Sequence, residues 1–182
     1  MLRITIPSTE LWDESKQEFI NVKEQTLQLE HSLVSLSKWE SKWCKRFLSN
    51  QEKTFEETID YIRCMTITQN VKPEVYNCLT SENIEQIRNY IWAPMTATTF
   101  SDDQISTNKL NKEEISSELI YYWMIALNIP PEYQKWHLNR LITLIRVCNI
   151  KNKPPGEMSK RAIMSRNAEL NAARRKELNT KG

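Results

Sequence analysis

The chain has 182 residues, 40% of them apolar and 26% charged, so it falls in the range of an ordinary globular domain rather than a disordered or fibrous one. Its two glycines argue against phosphate-cradling loops and nucleotide-binding turns, which rely on glycine for close backbone approach. The net charge of +2 conceals an asymmetry: residues 151–182 carry nine Lys or Arg against three Glu, a net +6, which leaves −4 for the rest. An acidic body with a basic tail points to an acidic partner for that tail.

In chain order, Leu2 to Ile6 alternates apolar and polar residues as a half-buried strand does, and Pro7-Ser8-Thr9 stops it. Phe19 to Val22 and Thr26 to Leu29 are two further strand candidates, which predicts a small antiparallel β-meander of two or three strands. From Ser32 the period changes to that of a helix. Leu33, Leu36, Trp39, Trp43 and Phe47 share one face, an aromatic stripe. Core packing is the plain explanation of that stripe; Trp39, Trp43 and Phe47 are also its candidates for partner binding. Thr54 with Glu57 has the form of a capping box, and Phe55, Ile59 and Ile62 give the following helix an inward face. Proline at the start of Pro73 to Leu79 suits a short helical segment. A helix then begins near Ser81, turns Ile84, Ile87 and Ile91 inward, and ends before Pro94.

Residues 95–111 lack a helical period; Thr96 to Phe100 reads as a strand and Ser101 to Leu110 as a surface loop. Asn111 with Glu114 marks a helix start. Lys112 to Ile150 holds the densest apolar sequence, apolar on every side from Leu119 to Leu127. It then breaks at Asn128-Ile129-Pro130-Pro131 and resumes at Leu138, Leu141, Ile142, Ile145 and Cys148. This predicts a helical hairpin enclosed at the centre of the fold. The fold class is therefore mainly α (α+β): a helical body over residues 1–150 with N-terminal strands. A Pro/Gly linker and a basic C-terminal helix from about Lys160 to Leu178 follow over 151–182.

Chemical signatures are missing from the sequence. His31 and His137 stand about a hundred residues apart with no ligand-spaced cysteines, no serine lies in a nucleophile elbow, and carboxylate pairs fall at helix starts or in a loop. We expect neither an enzyme nor a bound metal or cofactor. Four dispersed cysteines without a secretory signal read as reduced thiols in a cytoplasmic protein, and the uncharged run Leu119 to Pro131 is too short to span a bilayer. Lys160, Arg161, Arg166, Arg174, Arg175 and Lys176 form a basic cluster able to meet phosphates or an acidic protein, without a zinc-finger or RNP motif beside it.

Four stretches together carry a family resemblance: LRITIP at the start, Leu27 to Trp43, Glu118 to Cys148, and Met158 to Gly182. They resemble small proteins encoded among the tail genes of tailed bacteriophages and prophages, described as tail assembly chaperone-like. The resemblance implies a non-enzymatic, mostly helical protein working in the host bacterial cytoplasm during phage assembly. Its partner would be the tape measure protein or the tail tube protein, and no membrane would be involved. Two alternatives stand beside that expectation: a structural subunit kept in the virion, and a nucleic-acid-associated accessory protein using the basic tail. Oligomerisation is left open.

Overall fold

A computed structural model describes residues 1–13, 17–100, 115–152 and 160–178. Four strands open the chain: β1 (Leu2–Ile6), β2 (Thr9–Asp13), β3 (Glu18–Val22) and β4 (Gln25–Leu29). β1 pairs with β4 from Leu2↔Leu29 to Ile6↔Gln25, and β2 pairs with β3 from Thr9↔Val22 to Asp13↔Glu18. The two ladders share one register. They are thus two arms of a single antiparallel ribbon, interrupted where Pro7-Ser8 lies opposite Lys23-Glu24, because proline has no N–H to give the ladder. This corrects the predicted meander: Thr9–Asp13 is a strand, and Pro7 interrupts the ribbon without ending it. On the inner arm Ile4, Ile6, Leu27 and Leu29 point into the core while Thr5 and Thr26 meet on the other face. On the outer arm Trp12 and Phe19 face each other across the strands, ring centroids 4.9 Å apart, and both are exposed.

The helices are α1 (Leu33–Trp43), α2 (Phe55–Met65), α3 (Ser81–Trp92), α4 (Ser117–Ala126), α5 (Leu138–Asn152) and α6 (Lys160–Glu177), with short 3-10 turns at Pro73–Cys78 and Pro131–Lys135. The fold is mainly helical, with its strands confined to the N-terminal segment. Ser32, Thr54 and Thr80 cap the first three helices, each through a reciprocal box with the residue three positions on. At its far end α1 stops because Cys44 turns left-handed (φ 51°) and returns its N–H to the Glu40 carbonyl. Phe47 therefore lies beyond the helix instead of continuing its stripe. Phe55, expected inward, is exposed in the first turn of α2, and the buried face is made by Ile59, Tyr61, Ile62 and Met65.

α1 lies between two apolar clusters. Trp39 belongs to one, with the inner ribbon arm, α2, the first 3-10 turn and α3; Leu33 and Leu36 belong to the other, with Ile120, Met124, Leu138, Leu141 and Ile145 of the hairpin. The hairpin forms as expected, Asn128 supplying the left-handed turn (φ 53°) before the prolines, but it is not enclosed. Only Ser117, Ile120 and Met124 of α4 are buried, and Tyr122 and Ile125 are 63% and 76% exposed. Among the described residues α1 and α5 pack on the face of α4 that carries Ile120 and Met124, and the opposite face is left exposed whatever its sequence offers. Thr96 to Phe100 forms no strand; the Ser101 to Leu110 loop and the Asn111/Glu114 start lie outside the described residues, and the cap observed for α4 is Ser116.

The chain divides into two units, Met1–Cys148 and Asn149–Gly182. Within the second, α6 exposes Met164 and Leu170 among its described side chains, and Leu178 just beyond its end is exposed as well.

Candidate functional site

A concavity of the first unit lies between α2 and α3. α2 contributes Thr58, Tyr61 and Ile62; α3 contributes Ile84, Ile87, Arg88, Ile91 and Trp92; Phe47 and Lys53 close it from the connection between α1 and α2. The groove volume is about 120 Å³. Its floor is apolar because the isoleucines of α3 recur at helical spacing and meet Ile62 across the gap. Tyr61 stacks on Phe47, ring centroids 3.7 Å apart and planes 23° from parallel, and Trp39 meets the Phe47 ring edge-on at 5.1 Å. The groove wall is thus the outer layer of an aromatic cluster rooted in the core.

Two networks hold these walls in place. Glu40, buried in α1, accepts the Phe47 N–H on Oε1 at 2.9 Å and the Ser117 N–H on Oε2 at 2.7 Å, so one carboxylate positions the groove wall and starts α4. At the other wall, the carbonyls around the end of α3 accept from residues at the start of α5, the Tyr90 carbonyl also taking the Ala93 N–H at 3.2 Å. His137 Nε2 donates to the Tyr90 carbonyl at 3.0 Å, and Asn139 Nδ2 donates to the carbonyls of Ile91 at 3.0 Å and Ala93 at 2.8 Å. Trp92 is thereby fixed at the groove lip, 78% exposed.

The rim is cationic. The Lys53 ammonium lies 4.7 Å from the centroid of the Phe47 ring, and burial draws its pKa down while the Glu57 charge opposes that shift. Glu57 is itself engaged, accepting from Lys45 and from the Thr54 N–H, and the Lys45 hydrogen bond leads the causes holding its carboxyl below the usual range. Arg88 is exposed on α3, and among the described residues neither Lys53 nor Arg88 is in an ion pair.

Behind the groove the two histidines meet, rings 5.1 Å apart. His31 Nδ1 shares a 2.6 Å hydrogen bond with the Tyr61 hydroxyl, and Leu138 N–H donates to the His31 carbonyl at 2.7 Å. Burial, reinforced by His137, draws His31 down to about 3. Burial also lowers His137, against the Tyr90 carbonyl bond and Glu30, and its Nδ1 is buried without a hydrogen-bond partner among the described residues. Both rings are neutral and serve packing. Among the described residues no group of three or more His, Cys, Asp or Glu side chains could hold a metal ion, and no helix is long and apolar enough to cross a membrane.

The residues singled out from the sequence fall apart in space. Trp39 is 1% exposed, its indole N–H donating to the Glu57 carbonyl at 2.8 Å, so it has no surface to offer a partner. Trp43 is half-buried and tied to Asp60 at 2.9 Å, and of the three aromatics only Phe47 lines the groove. Arg174 and Arg175 are exposed on α6; Lys160, Arg161, Arg166 and Lys176 belong to the same helix, their side chains outside the described set. Lys53, Arg88 and Trp92 were not legible as site residues. Their only signal was position: Trp92 and Arg88 stand off the isoleucine stripe of α3, and Lys53 precedes the Thr54 cap.

The architecture defines a mainly helical α+β body with an apolar groove and a cationic rim. No family model, curated protein or solved structure matches the chain.

Proposed function

We propose that this chain is a non-enzymatic binding protein of phage tail assembly, acting chaperone-like in the host cytoplasm by covering an apolar helical segment of the tape measure protein or another tail component. The observation that carries the reading is the α2–α3 groove: an apolar cavity about 120 Å³ in volume beside a tryptophan left 78% exposed. An exposed aromatic next to an apolar hole is what helix-in-groove recognition uses, the groove taking anchor side chains spaced along one helix face. The resemblance of the four sequence stretches to tail assembly proteins supplies the biological setting. Exposed Arg174 and Arg175 favour a second reading, in which α6 grips nucleic acid.

Co-expression with the tail proteins encoded beside its gene, followed by pull-down at low and high salt with nuclease, separates the readings. Apolar burial tolerates moderate salt and gives a negative heat-capacity change on binding, whereas phosphate contacts weaken steeply as salt rises. Retention of a tail protein through salt and nuclease is the expected result. Recovery of nucleic acid alone, lost with salt, would overturn it. Recovery of the protein in finished virions would assign it to the particle.

A further inference from the structure

The groove is small and selective in charge. A dry apolar cavity of about 150 Å³ accommodates one benzene ring, so about 120 Å³ floored by Ile62 and Ile87 has room for one large apolar side chain and not for a row of them. Beside it lie Lys53 and Arg88, brought together from different elements, neither engaged in an ion pair among the described residues. The carboxylate whose charge acts on Lys53, Glu57, already accepts from Lys45 and the Thr54 N–H. A half-buried ammonium against an aromatic face, with its neighbouring carboxylate engaged elsewhere, attracts a further anion.

We infer that the groove takes an acidic amphipathic helix from another protein, which seats one large apolar side chain in the cavity and sets a carboxylate beside Lys53 and Arg88. Residues three or four positions from the anchor share its helix face, so Asp or Glu at those spacings would reach the rim. The C-terminal segment of this chain does not fit: residues 151–182 carry a net +6, and like charge at the rim repels it. Nucleic acid fits poorly as well, since two cations flanking an apolar hole give a phosphate backbone no track to follow. The inference rests on the groove being a protein-binding site, and it specifies the chemistry of what binds.

The test uses the full-length chain as bait for a library of helical peptides randomised along one face. Wild type is expected to enrich a Leu, Met or Phe anchor with Asp or Glu three or four positions away. Trp92→Ala, at an exposed position, should weaken the selected peptide about tenfold. The pair Lys53→Glu and Arg88→Glu should weaken it by about tenfold or more and turn the selection toward Lys and Arg flanks, with an unchanged far-ultraviolet spectrum and melting midpoint showing the fold intact. A wild-type selection without consensus, a basic consensus, or a charge-reversed variant that keeps the acidic preference would overturn the inference. Undiminished capture of a tail protein by the charge-reversed variant would also overturn it, while leaving the assembly reading standing. Selection of acidic peptides by a wild-type chain that captures no tail protein would support the groove inference and remove the assembly reading.

Discussion

On one side of α1, the ribbon, α2 and α3 close over Trp39 with every wall tied by side-chain hydrogen bonds: Trp39 to the Glu57 carbonyl, Trp43 to Asp60, His137 and Asn139 to the end of α3. On the other side the hairpin lays Ile120, Met124, Leu138 and Leu141 against Leu33 and Leu36 and leaves Tyr122 and Ile125 in solvent. The side with the more polar sequence is the more completely closed, and the most apolar helix of the chain is half open. Burial is decided by how many elements surround a segment, and among the described residues only the Ser117, Ile120 and Met124 face of α4 is covered.

The comparison is broken most sharply by truncating a tryptophan on each side. Trp39→Ala should cost about 3–5 kcal/mol in chemical denaturation, as loss of a fully buried aromatic does, whereas Trp123→Ala, half-buried against the hairpin cluster, should cost about 1–3 kcal/mol. Equal losses would show the two sides to be equally enclosed. Glu40→Gln comes next. It keeps one acceptor of the two that Glu40 provides, leaving the Phe47 or Ser117 N–H without its partner, and should destabilise by about 1–3 kcal/mol. A neutral outcome would mean that water replaces the carboxylate.

Acidification probes the seam where His31 and His137 join the sides. Both are held neutral in the fold with lowered pKa values, His31 to about 3, while unfolded imidazoles bind protons below about 6.5. The unfolded chain then holds more protons, so this contribution is fully present above pH 6.5 and is lost as the pH falls toward 3. The groups facing the pair are Tyr61, Tyr90 and Glu30, and Glu30 also pairs with the N-terminal amine. Between pH 7 and 5.5, before Glu57 and Asp60 titrate, the loss from His31 should be about 1 kcal/mol, and His137 adds a further loss of the same sign. A flat profile over that interval would show that the rings charge without penalty. The smallest effect is expected at Ile125→Ser, within about 0.5 kcal/mol, because the residue is exposed. A larger loss that depends on protein concentration would reveal a second copy covering α4.

Local chemistry was legible from the residues alone wherever near neighbours decide it. The capping box at Thr54, the helix start near Ser81, the Pro73 turn, the stop before Pro94 and the proline break of the hairpin all appear within a residue or two of expectation, since each is settled by groups a few positions apart. The mainly helical class followed from the same periodicities. The site did not. Lys53, Arg88 and Trp92 occupy separate turns, and no spacing announces that they will share one groove; Trp39 looked as available as Phe47 until the α1 C-cap turned the chain and brought Phe47 over Tyr61. Periodicity states which residues of a helix could be buried together, and only the packing of other helices against that face determines which of them are covered, which line a cavity and which are left in water.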